Sequence, residues 1–376
     1  MSECTFSPSL CHINLSALTR NFFRMGDPAE LLPVIKSDAY GHGLMPCARA
    51  LDKAGAINFA VGTVSEGKAL RLAGFHQHIV PLLGAGSLDD WLVSFSLGLT
   101  TPIVDMESLK MAAHTCPDHE TMGVAIALNS GMGRLGFSEA DMPDLIEGLR
   151  RYPMLKPELV FSHFACADMP EETEYTAAQH DRFSGMAKAL RAFFPSLVTS
   201  LNNSAGMQTY PHTANELLRP GITLYGGNPF HGTPWASKAS GFEWVMSVSA
   251  PILQIRRLQA GESTSYGRLF TAPHPMTIAV LGIGYASGFA RALSNMCDVL
   301  IKGRRCPQIG RVCMGMIMVD ISAIAGVEVG DLAWILGGDP LPGQRSVNAD
   351  EMADALGTIS YEVLCRFGMS NQRIYH

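Results

Sequence analysis

Val34-Ile35-Lys36-Ser37-Asp38-Ala39-Tyr40-Gly41-His42-Gly43 is the stretch on which the reading of this chain turns. The apolar run 31–35 reads as a short strand that delivers one lysine to its end, and a turn with a tyrosine and two glycines follows. A lysine at the end of a buried strand is costly unless it is paired or covalently used. The covalent use is attachment to a carbonyl compound, pyridoxal phosphate (PLP) being the common one. The glycines let backbone approach a ligand, and Tyr40 offers a phosphate a hydrogen bond. Read alone, the same residues also describe a snorkelling surface lysine before an ordinary Tyr-Gly turn, so the rest of the chain decides.

With 376 residues there is room for two domains and a large core. A hydrophobic fraction of 47% against 16% charged excludes a disordered chain, and a net charge of −6 gives no electrostatic reason to expect nucleic acid. The nine cysteines are scattered, odd in number and form no C-x-x-C pair, which fits a reducing cytoplasm rather than a disulfide framework or zinc site. Residues 1–10 lack a basic n-region before an apolar run, so no signal peptide is read, and no apolar stretch is long enough to span a bilayer.

Outward from Lys36, short apolar runs recur at 32–36, 58–62, 78–83, 100–104, 122–128, 158–163, 197–202 and 221–225, with amphipathic segments between them. The stretch 65–72, ended by Gly74, is a fair example of a helix. Eight strand-then-helix units predict a (β/α)8 TIM-type barrel, although a doubly wound open sheet would share the alternation. After Pro229 the texture changes. Residues 232–241 read as a linker, and 245–255, 277–282, 297–301, 312–321 and 332–336 read as strands of a mostly β domain. A helix is predicted over 346–355 with Asn348 as N-cap. The expected division is 1–235 for the barrel and 236–376 for the β domain, with a strand near 11–15 packing on the latter.

In such a barrel the chemistry sits on the loops after the strands. Lys36, the glycine-rich 131–136 with Arg134, His163, Asn203-Ser204, and Arg219-Pro220-Gly221-Ile222 all fall at strand ends. Each has a bland reading: a plain loop, a satisfied core histidine, a helix N-cap, a turn with a surface arginine. Five such coincidences together point instead to a phosphate cofactor, held by Ser204, Gly221 and Ile222 after the last two strands, with Tyr40 on the far side.

These motifs together resemble the alanine racemase family, PLP enzymes of the barrel-plus-β-domain type. The resemblance runs from Ile13 to Tyr361 and rests on V-I-K-S-D-A-Y-G-H-G at 34–43, G-M-G-R-L-G at 131–136, N-N-S-A at 202–205, R-P-G-I at 219–222, S-Y-G-R at 265–268, G-Y-A-S-G at 284–288 and G-R-V-C-M at 310–314. It implies that Lys36 carries the cofactor and acts as one of two bases, and that Tyr266 of a second subunit is the other, so that a homodimer shares its sites. It implies further that Arg219 faces the pyridine nitrogen, that His163 packs at the ring and supports Arg219, and that Arg134 binds the cofactor phenolic oxygen and the substrate carboxylate. Tyr40, Asn203, Ser204, Gly221 and Ile222 belong to the implied cofactor site. Met314 would offer its backbone to the substrate, and Tyr285 and Arg311 would stand at the entrance.

The implied reaction interconverts L- and D-alanine, with proton removal on one face and return on the other. A lysine serves as base when nearby positive charge lowers its pKa. An arginine opposite the pyridine nitrogen is no proton source near neutrality, which should favour racemisation over transamination. No metal is expected, and the substrate is a small amino acid.

The chain also departs from the family pattern. A modified lysine common in the family is Ala127 here, its Asp-Thr pair is Asn129-Ser130, and two entrance carboxylates are Ser287 and Gly315. Asn129 is the candidate to orient Arg134. Counting from Tyr361 puts a late phosphate-contacting tyrosine at Met369. A roomier, less acidic entrance is expected, open to serine, lysine or larger amino acids besides alanine. The alternatives are a PLP-dependent decarboxylase, against which Arg219 argues; a barrel-only PLP-binding protein, against which the second domain and Tyr266 argue; and a metal-dependent hydrolase, for which no His-x-His or clustered carboxylates are found. Whether the product serves wall synthesis or catabolism is left open.

Overall fold

Pro33 lies inside the first predicted strand and has no N–H to donate, so this segment is joined to its neighbours only by isolated bridges, Leu31 to Leu218 and Val34 to Ala60. The computed structural model describes residues 8–213 and 215–376; the reading of residues 1–7, with Cys4, lies outside them. The following parallel strands are Asn58–Val61, His78–Pro81, Thr101–Ile103, Met122–Ala127, Leu155–Phe161 and Val198–Ser200. The Thr100 N–H bonds Ile79 O at 3.0 Å and bridges the third stave to the fourth.

The eighth stave is not 221–225. Residues 222–225 form a 3-10 helix, Ile222–Tyr225, and the barrel closes instead through 216–219. Leu217 N–H bonds Thr199 O at 2.8 Å, Arg219 N–H bonds Asn202 O at 2.9 Å, and Leu32 N–H bonds Leu218 O at 2.7 Å. Leu217-Leu218 is too short an apolar run, between Glu216 and Arg219, to register as a strand. Ile222-Thr223-Leu224-Tyr225 looks like one because it is fully buried, and burial alone does not separate a short helix from a strand.

The second domain is a sheet in the order Met276–Leu281, Ile317–Asp320, Arg304–Ile309, Asp298–Ile301, Leu332–Leu336, Met246–Leu258, Leu10–Ile13, Gln372–Tyr375. The long strand Met246–Leu258 pairs with Leu332–Leu336 along its first half and with Met276–Leu281 along its second, so six strands close on themselves. Arg304–Ile309 escapes sequence reading because it begins with two arginines and contains Pro307. Residues 312–316 are loop rather than strand. The predicted late helix is Ala349–Leu356, and its N-cap Asn348 accepts from Glu351 N–H at 2.9 Å. Leu10–Ile13 pairs antiparallel with Met246–Leu258 and parallel with Gln372–Tyr375, so the first and last described strands lie side by side in the β domain. One buried apolar cluster runs from the barrel (Ile35, Phe59, Tyr225) into the β domain (Val248, Leu281, Phe367). Among the described residues, no helix is long and apolar enough to cross a membrane.

His42 illustrates the cost of this packing. It is fully buried, its Nδ1–H is shared between Ala39 O at 2.9 Å and Tyr40 O at 3.1 Å, and its ring stacks on Tyr225 at 4.5 Å. Burial outweighs those carbonyls and pushes its pKa down to about 4. The unfolded chain therefore binds a proton below about pH 6.5 that the folded chain refuses until near pH 4. Stability from this group is complete above pH 6.5 and falls as the pH drops, by about 2 kcal/mol at pH 5. Urea midpoints at pH 8 and pH 5 should move closer together in His42→Phe; an unchanged gap would assign the acid sensitivity elsewhere.

Candidate active site

The turn that carries Lys36 is left-handed. Ser37, Asp38, Ala39 and Tyr40 have φ of 53–55°, and Gly41 and Gly43 follow with φ of 81° and 97°. Left-handed helix costs L-residues roughly 1–2 kcal/mol each, so four in succession store roughly 4–8 kcal/mol. Two side-chain contacts hold the turn from within the barrel. Asp38 N–H donates to Glu66 Oε1 at 3.1 Å, and Asp38 Oδ1 accepts from Leu44 N–H at 2.6 Å. Glu66 itself closes a capping box with Thr63 at the start of helix Val64–Leu72. The other strained segment presents Tyr266: Ser265 has φ 69° and ψ 177°, and Arg268 has φ 50°. Of eight non-glycine residues with positive φ among those described, six lie beside Lys36 or Tyr266. Strain concentrated in this way marks functional segments.

Lys36, His163, Arg219 and Arg134 interact at the C-terminal end of the barrel. Burial lowers the Lys36 pKa first, and the positive charges of Arg134 and Arg219 lower it further. Arg219 is 3% exposed. One Nη donates to Ser200 O at 2.7 Å and Ser200 Oγ at 2.5 Å. The other donates to Ser162 O, to Leu201 O at 3.2 Å and to His163 Nδ1 at 3.4 Å. The guanidinium lies over the Phe161 ring at 5.6 Å. Burial brings its pKa to about 10, still charged at neutrality. Burial, then Arg219, Arg134 and Lys36, pushes His163 down to about 3. His163 is therefore neutral, and accepting at Nδ1 places its proton on Nε2.

Beside these cations is a small cradle. Ser204 Oγ accepts from Gly221 N–H at 2.8 Å and from Thr223 Oγ at 3.1 Å, which leaves its own proton to donate. A Cβ on Gly221 would stand 2.8 Å from the Tyr40 hydroxyl and 3.7 Å from Ser204 Oγ, so glycine keeps this space open. Burial, then the neighbouring Tyr361 and Cys365, raises the Tyr40 pKa well above its ordinary value, so the hydroxyl stays a donor. Ile222, fully buried, opens the 3-10 helix that follows Gly221. Asn203 braces the loop: Oδ1 accepts from Gly206 N–H at 2.9 Å and Nδ2 donates to Phe164 O at 3.4 Å.

The Arg134 loop is shaped by Asn129, whose Oδ1 accepts from the amides of Gly131 at 3.2 Å and Gly133 at 2.9 Å. Its partners are thus the loop's own backbone, and its effect on Arg134 is indirect. Sequence reading missed Gln179, which is fully buried and ties the His163 loop with bonds to Ala165 N–H at 2.9 Å and His163 O at 3.2 Å. Nothing local in the helix Thr173–Arg191 marks it out.

Two expectations about the entrance need correction. Met369 is 60% exposed, whereas Tyr361 is half-buried with its ring 5.8 Å from that of Tyr40. Tyr361, the residue from which the count began, and not Met369, is thus the one that stands beside Tyr40. Ser287 is 1% exposed and its carbonyl accepts from Asn371 Nδ2 at 2.9 Å, so it does not line an open entrance. At Gly315 a Cβ would meet nothing within 4 Å. Tyr266, Tyr285 and Met314 are exposed at 69%, 43% and 61%. The loops that carry them are locked together: Ser265 Oγ donates to Arg311 O at 2.5 Å, Tyr285 N–H to Cys313 O at 3.1 Å and Ala286 N–H to Met314 O at 3.0 Å. Within one chain, no described hydrogen bond or ring contact joins Tyr266 to Lys36.

Comparison with known proteins covers the whole chain. The family model "Alanine racemase, N-terminal domain" matches residues 13–229, and "Alanine racemase, C-terminal domain" matches 245–375. The alanine racemase of Nitratidesulfovibrio vulgaris strain Miyazaki F is 45% identical over 360 residues, 95% of each chain, and that of Lawsonia intracellularis 39% over 372 residues, 97% of each. Among solved structures, the biosynthetic alanine racemase from Pseudomonas aeruginosa superposes with a TM-score of 0.86 at 32% identity, covering 99% of this chain and 100% of that one. The Bacillus anthracis alanine racemase with bound L-Ala-P gives 0.88 at 27% identity, covering 100% and 96%.

Proposed function

This chain belongs to the alanine racemase family, a family of isomerases, and from that membership we propose that it is a PLP-dependent racemase of alanine that works as a homodimer. The observation that carries this reading is the convergence of a lysine with lowered pKa, two arginines and the Tyr40–Ser204–Gly221 cradle at one end of the barrel. Three mutually repelling cations beside a donor-lined cradle suit an anionic ligand with a phosphate. The residues therefore fit PLP. Lys36 would hold its carbonyl carbon, Tyr40, Ser204, Gly221 and Ile222 its phosphate, Arg219 its ring nitrogen and Arg134 its phenolic oxygen. When bound, PLP supplies the electron sink that makes an α-proton removable.

The chain's own groups supply the rest. The environment that lowers the Lys36 pKa raises the fraction present as neutral amine, which is the form that accepts a proton. Arg219 is held by four oxygens and His163, so it presents a fixed charge and no transferable proton. Arg134 would hold the substrate carboxylate. A second base on the opposite face is needed, and Tyr266 suits it because it is exposed on a strained, rigidly tied loop of the β domain. Its exposure in one chain supports its delivery to the Lys36 site of a partner, with the Met314 backbone beside it.

The lack of a side chain at Gly315, where the family pattern carries a carboxylate, favours a range wider than alanine. Incubating PLP-loaded protein with L-Ala, L-Ser and L-Lys and resolving the products by chirality should yield D-alanine fastest and D-serine measurably. Alanine of unchanged chirality would sink the racemase reading, strict restriction to alanine would sink the wider range, and release of CO₂ would favour a decarboxylase.

A further inference from the structure

The left-handed turn beside Lys36 is gripped from outside the barrel by the end of the chain. Arg373, in the last strand Gln372–Tyr375, pairs through Nη1 with Asp38 Oδ2, and the same Nη1 donates to Gly41 O at 3.1 Å. One guanidinium nitrogen thus bridges the second and fifth residues of the turn 37–41. Gly368, in the helix Ser360–Ser370, packs its backbone on Gly41 so closely that a Cβ would come 2.0 Å from Gly41 O. A Cβ on Gly43 would meet the Tyr375 hydroxyl at 2.1 Å. Asp38 therefore uses Oδ1 on Leu44 N–H, its own N–H on Glu66 and Oδ2 on Arg373.

We infer that Arg373 is a positioning residue for Lys36: through Asp38 and Gly41 it holds the left-handed turn, and so fixes where the Lys36 amine stands. The inference rests on Lys36 as the PLP attachment point. The contact is directional and charged at both ends, and the pair is only partly exposed, at 26% for Arg373 and 38% for Asp38. The turn closes its own backbone bonds, Gly41 N–H to Ser37 O at 3.1 Å and Gly43 N–H to Asp38 O at 2.8 Å, but L-residues avoid this conformation on steric grounds. Contacts from remote segments such as Arg373 therefore add to what keeps it. Because the strand Gln372–Tyr375 is itself fastened to Leu10–Ile13, the β domain sets the position of a barrel residue.

The test uses full-length Arg373→Gln, Arg373→Lys and the double variant Ser37→Gly/Arg373→Gln, each corrected for folded fraction by circular dichroism. Each is loaded with PLP and reduced with borohydride, and the Lys36 peptide is quantified by mass spectrometry beside kcat and KM for alanine. Arg373→Gln should lower kcat about 10- to 100-fold with KM changed about twofold or less, the size of effect expected from misplacing a reacting group by about 1 Å. Labelling of Lys36 should slow in parallel. Arg373→Lys should recover part of both. Ser37→Gly should also recover part, since glycine adopts the left-handed conformation without strain, whereas a loss caused by general instability would not respond to it. Unchanged kcat and labelling in Arg373→Gln, or no recovery with Ser37→Gly, would overturn the inference. If wild-type protein is not labelled at Lys36, the attachment premise fails, and the inference with it.

Discussion

A mixture of Lys36→Ala and Tyr266→Phe chains should recover activity that neither variant has alone. Each single change removes one of two proposed bases, and general-base loss of this kind costs about a thousandfold or more. If Tyr266 reaches the Lys36 site of a partner across a two-fold axis, a hybrid dimer contains one site with both changes and one with neither. After complete exchange of equal amounts, half the dimers are hybrids with one working site of two, so about a quarter of wild-type activity should return. Exchange is followed with an affinity tag on one variant. No recovery once exchange is shown would mean that both groups act from one chain, or that Tyr266 is not a base. The exposed Tyr266 in its strained loop and the absence of any described link to Lys36 within the chain motivate the expectation.

Arg219→Met should damage stability and activity together. Arg219 is the donor for Ser162 O, Ser200 O, Ser200 Oγ and Leu201 O in a buried site. Methionine fills the volume and leaves these acceptors unpaired. Each buried acceptor left unpaired costs roughly 1–3 kcal/mol, so several together cost a few kcal/mol, which in a domain of this size lowers the melting temperature by about 10 °C. Arg219→Lys should fall between, because an ammonium keeps the charge but cannot reproduce the planar fork that reaches two strands at once. Scanning calorimetry of the three proteins checks the order. A melting temperature for Arg219→Met within a degree or two of wild type would mean that the acceptors find other partners. Racemisation should fall in the same order, since His163 loses the donor to its Nδ1.

Much of this was legible in the chain. Seven of the eight staves follow from apolar runs alone, because a buried parallel strand must be apolar on both faces. Lys36, His163 and Arg219 stood out for the opposite reason: charged or polar groups at the ends of such runs need an explanation. The eighth stave was misplaced because Ile222–Tyr225 is more apolar than the 216–219 segment that completes the ring. An ungapped count from Tyr361 reached Met369, and counting ignores which way a residue faces: in the helix Ser360–Ser370 it is Tyr361 whose ring meets Tyr40, while Met369 is exposed.

The sequence by itself determined the staves, the polar residues at their ends and the family, because these depend on composition and spacing along the chain. Only the tertiary structure decided the handedness of the Ser37–Tyr40 turn, the meeting of Tyr361 with Tyr40 and the pairing of Asp38 with Arg373. The last two residues are 335 positions apart. The physical reason is that each of these runs against or outside local preference. A left-handed turn of L-residues is unfavourable on its own terms, and it persists only where contacts from remote segments offset its cost.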